Sequence, residues 1–403
     1  MNPLITVILI GHNEPSQRMA EQIKLIYGQT LQPFEIIFVD TSLNPIGEEL
    51  EEVFSSQEMI QFRYFFIGKN FPGTARNFGI AKSSGEIIAF LDMMTSPSIN
   101  WLKNSYELLI NSESEYISCL TEFNSKNYFE EVYKICAYGN MPHETVPGSM
   151  IYKNSLKKIS PFREDIRSSE DIIWRDEAKK SLKHITTKSP NLDYSNLPKD
   201  IFELTKRYII YSFFASISRA QSLIKDVYLS LFVIFGFLLI PRWNYLFDSW
   251  DQSIFYIDDI TKKIYILILI SYVILQGGNY FLKFKDSLFL DILKYVFFLT
   301  IFLIIYRWNG AIAFWVESSS LYIPNITKIF LAFCILSSIL IRGIFLPLLR
   351  KVALQDLFPG RWIMVGVLGL YLDLIKAPIY IFGSIYLAIF SSLSGFIKKS
   401  EQN

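Results

Sequence analysis

The sequence predicts an α/β domain with a mostly parallel sheet, followed by an α-helical transmembrane domain. Three observations carry this. Before residue 225, short continuous runs of Val, Ile, Leu and Phe alternate with polar stretches of helical spacing, the pattern of parallel strands buried on both faces. After it, five apolar runs are mostly long enough to approach or exceed the roughly 20 residues that cross a bilayer. The chain of 403 residues is 51% hydrophobic and 16% aromatic, more than a soluble surface normally accommodates. Its length, at about 150 residues per domain, implies two or three domains.

In chain order, Leu4–Ile10, Phe34–Val39, Phe62–Ile67 and Ile87–Leu91 read as strands, and Pro15–Tyr27, Pro45–Phe54 and Thr74–Ala81 as the helices between them. No Lys or Arg precedes Leu4–Ile10, and Gly11-His12-Asn13-Glu14 follows it, so it is expected to be a buried strand and not a leader. Working loops should follow the strand C-termini, where parallel α/β sheets place their ligands. Residues 1–197 form this first domain.

Residues 198–225, with Arg207, Tyr208, Phe213, Phe214 and Arg219, suit an amphipathic helix on a membrane surface. Val227–Ile240, Ile264–Leu282, Leu288–Tyr306, Ile326–Leu348 and Trp362–Ile397 are then the candidate spans of a domain covering 226–403. The last is long enough, and interrupted enough by Lys376 and Pro378, to be a broken helix or a hairpin, so four to six spans are expected. Trp243, Trp250, Trp308, Trp315 and Trp362 lie at or just beyond the run ends, where indole rings prefer the headgroup layer. Lys206, Arg207, Arg219 and Lys225 precede the first run, Lys283 and Lys285 follow the second, and Arg350, Lys351 and Arg361 follow the fourth. Positive connections face the cytoplasm, which puts the first domain on the cytoplasmic side of the inner membrane. Asp291 with Lys294, and Asp373 with Lys376, have a spacing that allows pairing within the bilayer, contact with lipid phosphates, or snorkelling to an interface.

Charge and cysteine usage remove other classes. Lys and Arg number 39 against 38 Asp and Glu, too even a balance for a nucleic-acid partner. Cys119, Cys136 and Cys334 are far apart, as are His12, His143 and His184, so neither a disulfide framework nor a paired zinc site is expected.

The chemistry gathers at the strand ends. The first strand runs into Gly11-His12-Asn13-Glu14, the second into Asp40-Thr41-Ser42 and the fourth into Asp92. Carboxylates there can accept from a base or ribose, hold a cation, or simply form turns and caps. Pro72-Gly73-Thr74-Ala75-Arg76-Asn77 opens a helix whose N-terminus and guanidinium favour an anion. Ser168-Ser169-Glu170-Asp171 could cap a helix.

In this order the segments ITVILIGHNE, FEIIFVDTS, PGTARNFGIAKSSGEIIAFLD and SSED resemble the family 2 glycosyltransferases over roughly residues 1–190. The resemblance implies a GT-A fold and inverting transfer from a nucleotide-sugar donor. It implies donor-binding roles for Glu14, Asp40, Arg76, Asn77, Asp92 and Glu170, with Asp171 as catalytic base. One departure stands out. The family's Asp-x-Asp is here Asp92-Met93-Met94, and methionine is a poor ligand for Mg²⁺ or Mn²⁺. Either Asp92 holds the cation with water and the diphosphate, or positive side chains replace it, or the site is impaired. Pro147-Gly148-Ser149-Met150 matches a small-residue segment near the acceptor, or is a plain turn. The Gln-x-x-Arg-Trp signature of processive synthases is absent.

The expected activity is transfer of a sugar to a lipid-linked or glycan acceptor at the membrane lipid surface, in cell-envelope polysaccharide or glycolipid synthesis. The alternatives are a polyprenyl-phosphate glycosyl synthase and a degenerate, non-catalytic binding protein.

Overall fold

The computed structural model describes residues 3–45, 50, 54, 60–218 and 335–400. Much of the expected helix 45–54, the expected spans 227–240, 264–282 and 288–306, the start of the span 326–348, Asp291 with Lys294, and Trp243, Trp250, Trp308 and Trp315 lie outside the described residues. The chain forms two compact units, Met1–Ala220 with Pro347–Asp356, and Gln221–Leu346 with Leu357–Asn403.

In the first unit, strands β1 (Ile5–Gly11), β2 (Glu35–Asp40), β3 (Gln61–Phe66) and β4 (Ile87–Asp92) lie in the order β3-β2-β1-β4, all parallel. Each falls within a residue or so of the apolar run that predicts it. The sheet does not remain parallel. β7 (His143–Tyr152) runs antiparallel to β4 and to β6 (Tyr116–Phe123), and β9 (Leu192–Tyr194) links β6 to β5 (Thr95–Pro97). β8 (His184–Thr186) pairs with β6. The result is a nine-stranded mixed sheet in which five of the eight pairings are parallel.

Alternate residues of the central strands serve opposite faces. Val7, Leu9, Phe38, Ala89 and Leu91 pack with Ile23 and Ile26 of α1 (Ser16–Tyr27) and with Trp101 and Leu102 at the start of a second helix, Trp101–Asn111. Ile8, Ile10, Val39, Ile88 and Phe90 pack on the other side with Ala75 and Trp174. Ala75 belongs to α2 (Pro72–Lys82), which makes Trp101–Asn111 helix α3, and Trp174 to the helix Glu170–Ser181. Burial of this kind contributes about 1.5–3 kcal/mol per large side chain, and two buried faces explain why these strands read as unbroken apolar runs.

After α3 the first unit adds α4 (Tyr128–Ala137), α5 (Glu170–Ser181) and α6 (Ile201–Ser218). Asn127 caps α4 by accepting from Glu130 N at 2.9 Å. Helix α6 lies within the expected interfacial segment and leaves Phe202, Ile209, Ile210 and Tyr211 exposed. From 214 residues away in the chain, Arg350 donates to the Cys136 carbonyl, and Asn140 N donates back to the Arg350 carbonyl at 3.0 Å.

Pro147-Gly148-Ser149-Met150 is not a plain turn. It lies within β7, where the register against β6 passes from Ile117↔Met150 to Cys119↔Thr145 and the extra residues bulge out. Gly148 has φ +85°, and a Cβ there would lie 2.6 Å from Cys119 Sγ. Its carbonyl accepts from Trp101 Nε1 at 2.7 Å.

The described part of the second unit is helical. Helix Arg361–Ser400 runs through Pro378 without a break, so the broken helix or hairpin expected there is corrected to one helix. Its first part, Arg361–Tyr380, is the one helix among the described residues long and apolar enough to cross a membrane. Asp373 pairs with Lys376 at 3.8 Å as its spacing suggests, but Arg342 is its closer cation and also donates to Ser338 Oγ at 2.7 Å.

Candidate active site

Parallel pairing fixes where the strand-end residues meet. Register sets Gly11 beside Asp40 and Ile10 beside Asp92, so the loops after β1, β2 and β4 open along one edge. A cleft of about 390 Å³ follows that edge. It is lined by His12, Glu14 and Thr41 from the loops after β1 and β2, by Asn70 and Pro72 at the start of α2, and by Asp92, Met94 and Thr95 at and after the end of β4. Arg167 comes from the approach to α5 and Asp171 from its first turn, and Thr121, Phe123, Thr145, Tyr194 and Tyr211 contribute to the lining.

The first two loops are bolted together. His12 Nδ1 lies 2.8 Å from the Thr41 carbonyl, Asn13 N donates to Ser42 Oγ at 2.7 Å, and Leu43 N donates to Asn13 Oδ1 at 3.1 Å. Asn13 adopts φ 52° to do this, a left-handed conformation that asparagine tolerates better than most residues. Asp40 is fully buried. Its Oδ1 accepts from Ser42 N at 2.9 Å and from Ser42 Oγ at 2.5 Å, and its Oδ2 from Tyr64 Oη at 2.8 Å. Glu14 does face the cleft, and burial raises its carboxyl above the usual range despite Arg18 and His12 nearby.

Arg76 is the hub of the site. It is 3% exposed, and its Nη2 donates to both oxygens of Asp92 at 3.0 Å while Nη1 donates to Glu170 Oε1 at 2.9 Å. The guanidinium also lies over the Phe162 ring, 5.4 Å from its centre. Its planar fork suits two carboxylates at once, which an ammonium could not match. Asn77, one residue on, turns elsewhere. It donates to the Phe162 carbonyl and to Glu164 Oε1 at 2.8 Å each and accepts from Phe162 N at 3.0 Å, pinning the 162–164 segment onto α2. Gly73 permits this contact, since a Cβ there would lie 2.0 Å from the Arg163 carbonyl oxygen.

Glu170 and Asp171 divide at the entrance to α5. Ser169 has φ 73° and makes no side-chain cap, so the capping role available to Ser168-Ser169 is not taken. Glu170 turns inward to Arg76 and is 4% exposed, and its Oε2 is buried without a partner among the described residues. Asp171 turns into the cleft, with Oδ1 held by Ile172 N at 2.8 Å.

Burial, with the charge of Asp171 adding to it and Arg76 opposing, pushes the Glu170 carboxyl up to about 7. The folded chain therefore keeps a proton where the unfolded chain, near 4.5, has lost it. Stability from this group is complete below about pH 4.5 and declines as pH rises toward 7. Urea unfolding between pH 5 and 7 is expected to show a falling unfolding free energy, by at most about 1.4 kcal/mol per pH unit for one proton, with a shallower slope in Glu170→Gln. An unchanged slope in the variant would exclude Glu170 as the source.

The divalent cation implied by the resemblance does not fit these residues. Mg²⁺ and Mn²⁺ need hard oxygen ligands. Asp92 already gives both oxygens to Arg76, and Met94 takes a hydrogen bond at its sulfur from Asn196 Nδ2 at 3.1 Å. No group of three His, Cys, Asp or Glu side chains able to hold a metal occurs among the described residues.

Sequence reasoning did not single out Arg167, Tyr194 or Tyr211. Only Arg167 carried a signal, as a cation four positions before Asp171.

Residues 6–164 match the family described as Glycosyl transferase family 2. The chain is 29% identical over 189 residues to an uncharacterised glycosyltransferase of Methanocaldococcus jannaschii, covering 43% of this chain and 63% of that one. It is 24% identical over 185 residues to the glycosyltransferase AglE of Haloferax volcanii, covering 43% and 60%. The chain thus spans less than two thirds of the length of these curated relatives. Among solved structures, it is similar to the mannosyltransferase PcManGT of Pyrobaculum calidifontis in complex with GDP-Man and Mn²⁺, at 15% identity and a TM-score of 0.40 over 55% of this chain and 64% of that one. It is also similar to S. aureus TarS 1–349 in complex with UDP-GlcNAc, at 15% identity and a TM-score of 0.37 over 51% and 65%. The matched residues lie within the first unit.

Proposed function

We propose that the chain is an inverting glycosyltransferase. It takes a sugar from a nucleotide-diphosphate donor and places it on a lipid-linked or membrane-proximal acceptor, in cell-envelope polysaccharide or glycolipid synthesis. The observation that carries this reading is the position of Asp171 in the same cleft as Glu14 and Asp92, at the carboxyl edge of the parallel strands.

An acceptor hydroxyl is a weak nucleophile, and a carboxylate within hydrogen-bond reach removes its proton as the oxygen attacks. Attack on the anomeric carbon from the face opposite the diphosphate inverts that centre, through an oxocarbenium-like transition state. Asp171 takes the proton, the nucleoside diphosphate departs toward the start of α2, and the Arg76 cluster behind the cleft fixes the floor on which Asp92 sits. The apolar helix Arg361–Tyr380 and the exposed apolar residues of α6 support a membrane-bound enzyme, and the basic residues between the apolar runs support a cytoplasmic orientation for this unit.

The test is a screen of UDP-, GDP- and dTDP-sugars against full-length protein, reading binding by calorimetry and transfer into a membrane lipid extract by mass spectrometry. One donor class is expected to bind and be turned over. Binding without transfer to any acceptor would favour the non-catalytic reading, and a bare lipid phosphate as the sole acceptor would favour the polyprenyl-phosphate synthase.

A further inference from the structure

We infer that the cleft binds the donor diphosphate without a divalent cation, and that Arg167 supplies the positive charge. This rests on the donor-binding reading above. A diphosphate leaving group carries several negative charges, and those must be matched where it departs. The usual means of matching them is a metal held by acidic ligands, and here the ligands are committed elsewhere. Asp92 accepts from Arg76 with both oxygens at 3.0 Å. Freeing Asp92 for a metal would leave a guanidinium that is 3% exposed with Glu170 as its one remaining carboxylate partner, a costly loss for a buried charge.

Arg76 cannot serve the donor in the metal's stead, because it is buried and its Nη1 and Nη2 already donate to Glu170 and Asp92. Of the described residues lining the cleft, Arg167 is the one with a permanent positive charge. It is exposed and has no hydrogen bond or ion pair among the described residues, whereas its neighbour Arg163 is held by Asp165 at 2.9 and 2.5 Å. Arg167 stands four positions before Asp171, so the proton acceptor and the cation for the leaving group approach from one short segment. The start of α2, which reaches the cleft at Asn70 and Pro72, adds the positive end of a helix dipole. A guanidinium meets phosphate oxygens with two parallel donors, which suits a site that must hold and then release a diphosphate.

Calorimetry on full-length protein tests this with UDP and GDP as probes, UMP and GMP as controls, in EDTA and in excess Mn²⁺. Diphosphate affinity is expected to agree within about twofold in the two conditions. Arg167→Ala is expected to weaken the diphosphate by 10- to 100-fold and the monophosphate by less than threefold, with Arg167→Lys between wild type and Ala for the diphosphate. A tenfold or larger gain from Mn²⁺ in the wild type would overturn the inference and leave the donor reading intact. Equal diphosphate affinity in the wild type and Arg167→Ala would overturn it as well. Absence of nucleotide binding in every condition would end both this inference and the reading it rests on.

Discussion

Asp171→Asn is expected to lower glycosyl transfer by about 10²–10⁴-fold, the range for losing a positioned proton acceptor, while donor affinity and thermal midpoint stay near those of the wild type. Asparagine keeps the shape, and its Oδ1 can still accept from Ile172 N as the aspartate does at 2.8 Å. The negative charge and the capacity to take a proton are lost together. Because Asp171 pushes the carboxyls of both Glu170 and Asp92 upward, removing its charge also relieves repulsion in the cluster, so a fall in stability is not anticipated. Mass-spectrometric counting of product at saturating donor measures the effect on turnover. Transfer within tenfold of the wild type would remove Asp171 from the chemistry.

The contrast between residues 170 and 171 shows why adjacent acids in this chain have separate roles. Successive positions on a helix point about 100° apart, and the left-handed Ser169 sets the entry angle of α5. One carboxylate is thereby delivered to Arg76 and the next to the cleft. The resemblance assigns Glu170 to the donor, whereas the structure puts it behind the cleft wall as a partner of Arg76. The same distinction separates Arg76 from Asn77, of which the first joins the site's acids and the second ties down the 162–164 segment.

Half of this fold was legible because burial on both faces leaves a simple mark. β1, β2 and β4 are continuous apolar runs, and each ends or is followed by the polar residue that forms the cleft edge. The other half of the sheet leaves no such mark. β7 reads His-Glu-Thr-Val-Pro-Gly-Ser-Met-Ile-Tyr and bulges at its centre, and its Thr145 meets Thr121 of β6 through hydroxyls 2.5 Å apart. Neither period two nor an apolar run survives there. The ion-pair hub was equally hidden, since Arg76 finds its partners 16 and 94 residues along the chain. Spacing identifies charged residues near a helix start, but only the closed sheet shows which charges cancel. The docking of Arg350 onto Cys136 is hidden for the same reason.

That cancellation yields the second large effect. Arg76→Met is expected to destabilise the first unit by about 3–5 kcal/mol, the cost of leaving buried carboxylates without their counter-charge. For a unit of this size the midpoint should fall by about 6–20 °C. Methionine conserves much of the side chain's length and apolar volume, so the loss reports charge and hydrogen bonding more than packing. Asp92 and Glu170, whose carboxyls burial already raises above the usual range, would then lie near each other and Asp171 with no cation between them. The triple variant Arg76→Met with Asp92→Asn and Glu170→Gln separates charge from packing. Removing a buried cation and its anions together is far less costly than removing the cation alone, so this variant should recover more than half of the lost stability while remaining unable to restore transfer. Thermal unfolding of the three proteins side by side measures both claims. If the single variant unfolds within about 1 kcal/mol of the wild type, the carboxylates tolerate the loss by taking up protons, and Arg76 is not what holds Asp92 in place.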